Sequence, residues 1–135
     1  MVNLASLQPY FKNKKVFMTG HTGFKGAWLL QMLHQLGAHI KGYALPPEKE
    51  QDLYVQIQGE TLCTQSILHD IRDQERLLYE VQSFQPDYLF HLAAQPLVLR
   101  GYERPYETFD INGMGTASVL EALHLVNGSC VAVII

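Results

Sequence analysis

Thr19-Gly20-His21-Thr22-Gly23-Phe24-Lys25-Gly26 is the stretch on which the reading of the whole chain turns. It follows residues 16–19, a short apolar and β-branched run that suits a buried strand. It opens residues 24–36, where Trp28, Leu29, Met32, Leu33 and Leu36 recur at helical spacing before Gly37. In a strand, glycine turn and helix, backbone amides converge on the positive end of the helix, so the turn is an anion site. Gly20 permits the tight turn, Gly23 lets a phosphate approach the backbone with no Cβ in the way, and Gly26 lets the helix pack closely on the sheet. The first gap is one residue longer than in the commonest dinucleotide fingerprint, and no Gly-Lys-Ser or Gly-Lys-Thr follows, which excludes a Walker loop. A bound dinucleotide is the expectation; a purely structural turn is the alternative.

Working outward, residues 39–44 read as a second strand, followed by a surface loop at Leu45, Pro46, Pro47, Glu48, Lys49 and Glu50. A short helix is expected over 52–58 and a third strand over 62–68, closing on His69 and Asp70. Residues 74–84 carry Leu77, Leu78, Val81 and Phe84 on one helical face, ended by Pro86 and Asp87. Residues 88–93 are strand-like, with the polar Gln95 just past their end. A long helix over 106–126 is expected to bury Phe109, Ile111, Met114, Ala117, Leu120, Leu123 and Leu125, although Gly113 and Gly115 weaken it, and a buried strand over 131–135 completes the series. Strands this apolar, alternating with helices, predict an α/β fold: a doubly wound, Rossmann-type parallel sheet reaching about the fifth strand.

Lys plus Arg number 10 against 13 Asp plus Glu, a net charge of -3, so the composition argues against nucleic acid or an anionic membrane as partner. The positive charges near the N-terminus follow the apolar residues, the wrong order for a secretory signal, and Asn127, Gly128 and Ser129 interrupt the longest uncharged apolar stretch. A cytoplasmic protein is expected. Cys63 and Cys130 have no Cys or His at metal-ligand spacing and are expected to be buried free thiols, with no metal site.

Two further stretches complete a pattern: Asp70, Ile71, Arg72, Asp73 after the third strand, and His91, Leu92, Ala93, Ala94, Gln95 at the end of the fourth. With the glycine turn, these residues resemble the extended short-chain dehydrogenase/reductase family. Within it the likeness is to nucleotide-sugar dehydratases acting on CDP-glucose, carried also by Gln95-Pro96-Leu97-Val98 and Asn112-Gly113-Met114-Gly115-Thr116. The resemblance implies NAD as cofactor. Gly20, Thr22, Gly23, Phe24 and Lys25, with His21 and Gly26 in the same turn, would cradle its pyrophosphate. Asp70 and Ile71 would bind the adenine, Leu92, Ala93 and Ala94 would line the nicotinamide ribose, and Asn112 would join the cofactor site. Gln95 and Pro96 would face the sugar of a CDP-glucose substrate, and the helix from about Tyr106 would help to form a homodimer. Epimerase and reductase relatives share the turn and the strand-end aspartate, and the run from Gln95 to Val98 argues against them.

Several residues keep alternatives. Asp70 also suits a helix N-cap, and His91, inside a strand, reads better as a packed core histidine than as a proton carrier. His21 reads equally as a phosphate contact and as a solvent-facing side chain. Where a ribose-binding acid is expected, at the end of the second strand, Tyr43, Ala44, Leu45 and Pro46 stand instead, with Glu48 the nearest carboxylate. The residues alone therefore do not choose between NAD and NADP. The family's catalytic Ser or Thr, and its Tyr with a Lys four residues on, would lie beyond Ile135. Tyr10 and Lys14 have that spacing but precede the first strand. The expectation is an N-terminal cofactor-binding portion without turnover of its own; the competing reading is a non-catalytic dinucleotide-sensing module.

Overall fold

The computed structural model describes residues 3–135. A short helix, α1 (Leu4–Phe11), is capped by the Asn3 side chain and precedes β1 (Lys15–Thr19), the glycine turn and α2 (Phe24–Gln35). Then follow β2 (His39–Ala44), the short helices α3 (Leu53–Gln56) and α4 (Gly59–Leu62), β3 (Gln65–Leu68), α5 (Gln74–Phe84) and β4 (Tyr88–His91). Two short helices, α6 (Val98–Glu103) and α7 (Pro105–Phe109), run into a π-helical turn, Asp110–Met114, and on into α8 (Gly115–Leu123) and β5 (Val131–Ile134).

The five strands form one parallel sheet in the order β3-β2-β1-β4-β5. The chain winds outward from β1 through β2 to β3, then returns to the other side of β1 for β4. The strand order thus reverses between β1 and β4, and the crevice beyond their carboxyl ends is where such sheets bind ligands. Thr19 stands in register with Tyr43 on one side and His91 on the other, which fixes the floor of that crevice.

Period-two alternation along the strands sorts the core into two layers. Val16, Met18 and Ile40 pack with Ala27, Leu30 and Leu33 of α2 and with Tyr54. Phe17, Tyr43 and Leu89 pack on the opposite face with Leu77 and Val81 of α5 and Val119 and Ala122 of α8. Asp73 caps α5 by accepting the Arg76 amide, so the N-cap alternative for Asp70 is wrong by three residues. Among the described residues no helix is long and apolar enough to cross a membrane.

Other expectations need correction. The buried face of α2 is Gly26, Ala27, Leu30 and Leu33, while Trp28 and Met32 are exposed. In the long helical region Val119, Ala122, Gly115 and Ser118 face inward, and Phe109, Met114 and Leu120 are exposed. The cause is the same in both helices: each approaches its neighbours closely enough that small residues take the contact. A Cβ on Gly115 would lie 3.2 Å from the Ile71 side chain. The third strand begins three residues late, because 59–62 form α4 instead. β5 is a largely exposed edge strand rather than a buried one, and Cys63 and Cys130 are free but only half-buried.

Candidate functional site at the carboxyl edge

Each glycine of the turn has a different neighbour. Gly20 has φ +75°, and a Cβ there would lie 2.7 Å from the Ala93 amide nitrogen and 2.8 Å from the Leu92 carbonyl carbon. The turn and the end of β4 are therefore in backbone contact. A Cβ on Gly26 would come within 2.0 Å of the Gly20 oxygen, so the first turn of α2 lies directly against the loop. Gly23 differs: among the described residues a Cβ there meets only the Gly20 oxygen, at 3.4 Å, and otherwise enters open space.

Gly23 is also the N-cap of α2, and no side chain among the described residues caps the helix. Among the described residues, the amides of Phe24 and Lys25 have no acceptor. An uncapped helix start facing open space suits a diphosphate, whose oxygens satisfy such donors and whose charge is favoured by the helix dipole. Thr22 is turned aside, its hydroxyl donating to the Leu45 carbonyl at 2.8 Å and tying the turn to the end of β2.

His21 follows neither reading offered for it. Its ring is fully buried, packed over Gly42, edge-on to Tyr54, with Nε2 2.8 Å from the Ser66 hydroxyl. Tyr54 reaches the same hydroxyl at 3.0 Å, and among the described residues the buried His21 Nδ1 has no partner. A Cβ on Gly42 would fall 2.5 Å from the imidazole, so the glycine in β2 is the space the ring occupies. Gly42→Ala is expected to destabilise by about 1–3 kcal/mol through overpacking. The same change made in a His21→Ala background is expected to cost much less, which urea denaturation of the four proteins measures.

Burial pushes the His21 imidazole down from 6.5 to about 4. The unfolded chain takes up a proton that the native ring refuses, so this contribution is intact above pH 6.5 and lost as pH falls toward 4, by about 3 kcal/mol over the window. His21→Ala is expected to flatten that slope relative to the unsubstituted chain.

On the β3 side, Tyr43 is fully buried and its hydroxyl donates to the Asp70 carbonyl at 3.0 Å. Burial first, and then the Asp73 carboxylate, hold its proton in place well above the ordinary phenol range. Ile71 is buried in the core, which leaves the Asp70 carboxylate at the rim. There Arg72 grips it through Nε and Nη2, the shortest contact 2.6 Å, and hydrogen bonding to that guanidinium holds the carboxyl below its usual range. Asp70 is therefore ionised at the carboxyl edge and already paired.

Gln95 does not present its amide to a sugar. Its Oε1 accepts the Leu97 amide at 2.7 Å, and its Nε2 donates to the Leu97 carbonyl and the Thr108 hydroxyl. Asn112 holds the same residue by its backbone, with Oδ1 accepting the Gln95 amide at 2.7 Å and Nδ2 donating to the Gln95 carbonyl at 3.2 Å. Both residues clamp the loop after β4, and it is Ala94 and Pro96 that stand exposed there. His91 is buried, as its strand position implied, and is bonded on both ring nitrogens. Sequence reasoning missed this clamp, and a side-chain amide seventeen residues from its backbone partner leaves no local signal.

Residues 17–134 match the family model described as GDP-mannose 4,6 dehydratase. The chain is 45% identical over 114 residues to CDP-glucose 4,6-dehydratase of Salmonella typhimurium, covering 84% of this chain and 32% of that protein. It superposes with a TM-score of 0.75 on an epimerase from Methanothermobacter thermautotrophicus, at 25% identity, over 92% of this chain and 35% of the other. For the UDP-glucose 4-epimerase of Brucella ovis in complex with NAD the TM-score is 0.69 at 27% identity, over 83% of this chain and 32% of that one. The chain thus spans about a third of the length of these relatives.

Proposed function

As the chain belongs to the GDP-mannose 4,6-dehydratase family, we propose that it is the NAD-binding N-terminal portion of a cytoplasmic nucleotide-sugar dehydratase acting on CDP-glucose. The observation that carries the reading is the uncapped start of α2, open above Gly23 and joined through Gly20 to the end of β4. One contact surface thereby runs from the pyrophosphate seat toward Leu92, Ala93 and Ala94. The donors and the open space fit a dinucleotide. Bound there, NAD supplies a temporary acceptor for a hydride from the sugar.

On this reading the backbone amides of Phe24 and Lys25 bind the pyrophosphate and Gly23 gives it room, while Gly20 and Gly26 let the turn close on the end of β4 and on the start of α2, and His21 acts from beneath, holding the turn to β3. Thr22 secures the turn to β2. The Asp70 carboxylate and the Ile71 backbone receive the adenine at the rim, and Leu92 to Ala94 line the nicotinamide ribose. Asn112 and Gln95 shape the loop that carries Pro96 toward the sugar. The similarity to a CDP-glucose 4,6-dehydratase supports the substrate, and the NAD-bound epimerase fold supports the cofactor. The exposed Tyr106, Phe109, Met114 and Leu120 support a homodimer contact along α7, the π-helical turn and α8.

Within this stretch Tyr10 and Lys14 lie before β1, away from the carboxyl edge, and Tyr43 is spent on the Asp70 carbonyl. We therefore expect residues 1–135 to bind the cofactor without turning over the sugar. Calorimetric titration with NAD and with NADP, followed by addition of CDP-glucose and assay for product, tests this. Binding of NAD in preference to NADP, without product, is the expected result. Product formation would overturn the division of labour, and failure to bind either nucleotide would overturn the cofactor site.

A further inference from the structure

The end of β1, the end of β4 and the π-turn are joined by hydrogen bonds whose directions can be assigned one by one. The Thr116 hydroxyl lies 2.6 Å from the Asn112 carbonyl oxygen, which can only accept, so the one Thr116 proton is committed there. His91 Nε2, 3.0 Å from the same hydroxyl oxygen, must then donate to it. At the other ring nitrogen, Thr19 Oγ1 lies 2.6 Å from His91 Nδ1, accepts the Ala93 amide at 3.1 Å, and shares the Leu92 amide, at 3.2 Å, with the Thr19 carbonyl oxygen, also at 3.2 Å. With the ring proton on Nε2 and the ring neutral, Nδ1 accepts and the Thr19 hydroxyl donates to it, which leaves the Thr19 oxygen free to receive the amides. The Thr116 side assigns one tautomer, neutral with the proton on Nε2, and the amides around Thr19 Oγ1 agree with it.

The series continues past the ring. Asn112, whose carbonyl Thr116 holds, grips the Gln95 amide and carbonyl with its side chain. Thr19 is fully buried, His91 nearly so, and burial keeps the imidazole's affinity for a second proton below the ordinary histidine range. A second proton on Nδ1 would compete for the Thr19 oxygen with the Ala93 amide and turn the Thr19 hydroxyl proton away from the ring.

We propose that His91, acting through Thr116 and the π-turn, is the positioning residue for the loop after β4, fixing Leu92 to Gln95 for the nicotinamide half of the cofactor. The inference rests on the NAD-binding reading above. Geometry supports its direction: Thr19 holds the amides of Leu92 and Ala93, Asn112 holds Gln95, and His91 with Thr116 links the two grips. The adenine side has separate supports, Tyr43 and the capped start of α5. Loosening the His91 link should therefore be felt at the nicotinamide end alone.

The test uses Thr116→Val, which removes the hydroxyl at nearly constant shape, and Thr116→Ser, which keeps it. NAD and ADP-ribose are titrated calorimetrically, the second lacking the nicotinamide. Thr116→Val is expected to weaken NAD about tenfold, the worth of one hydrogen bond, while ADP-ribose stays within about twofold and Thr116→Ser restores NAD binding. Equal losses for both ligands, or no loss, would overturn the proposal.

Long-range nitrogen NMR of the unsubstituted chain and amide exchange at Gln95 provide an arm that needs no ligand. A single Nε2-protonated His91, with Gln95 exchange accelerated in Thr116→Val and slow again in Thr116→Ser, supports the link. A proton on Nδ1, or exchange unchanged by the valine, refutes it. If the unsubstituted chain binds neither ligand, the cofactor reading fails by itself and this second arm decides the positioning claim.

Discussion

Gly26→Ala is expected to remove cofactor binding and to destabilise the chain by about 3 kcal/mol or more, at the upper end of overpacking costs. The added Cβ would lie 2.0 Å from the Gly20 carbonyl oxygen and 2.8 Å from the carbon behind it. These are backbone atoms, so no rotamer change relieves the clash. Gly20 has little room to retreat, because even a Cβ on it would fall 2.7–3.0 Å from the Leu92–Ala93 peptide. The alternatives are to lift α2 off the sheet, exposing Ala27 and Leu30, or to open the turn; either displaces the Phe24 and Lys25 amides. Gly23→Ala provides the contrast: its Cβ meets one atom at 3.4 Å, so the fold should tolerate it, whereas the open space claimed for the pyrophosphate would be narrowed. Urea denaturation and NAD titration of both variants separate the two roles. The assignment fails if Gly26→Ala is as stable as the unsubstituted chain, or if Gly23→Ala binds NAD without loss while remaining folded.

The glycine turn was legible because its chemistry is local: a strand, three glycines at fixed spacing and a helix lie within one stretch of sequence. β2 and α5 were legible for the same reason, and their observed bounds are those the residue pattern predicts. The inward faces of α2 and α8 were legible only in part: Leu33 and Leu36 are buried as expected, and Ile111 and Leu123 pack on the core. Counting large apolar side chains selects Trp28 and Met114, but helices this close to their neighbours turn Gly26, Ala27, Gly115 and Ser118 inward. His21 was misread because the space it fills is made by Gly42, on another strand, and the hydroxyl it meets is Ser66, on a third. Gln95 and Asn112 stand in the right region, and their amides are spent on holding the loop, an arrangement only the folded chain brings together.

The same limit applies to Lys41, whose charge in the middle of a buried strand contradicts the apolar pattern around it. It lies on the α5 face of β2, only 3% exposed, where it pairs with the carboxylate of Glu80, itself 4% exposed. The ammonium also donates to the Glu80 carbonyl and lies 5.6 Å from the centre of the Phe84 ring. Glu80 has a second cation, Arg76 at 2.7 Å, which is half-exposed. The two partners are therefore unequal. Without Lys41, Glu80 keeps a guanidinium; without Glu80, Lys41 keeps only neutral acceptors and an aromatic face. Glu80→Leu is expected to cost about 3–5 kcal/mol, the penalty of a buried charge left alone, and Lys41→Met distinctly less. The double variant should recover most of the loss, because an apolar pair of similar volume is often neutral where an ion pair was buried. Urea denaturation of the four chains measures the cycle. If Lys41→Met proves the costlier single change, Arg76 does not stabilise the remaining carboxylate, and the ion pair is held by Lys41 alone.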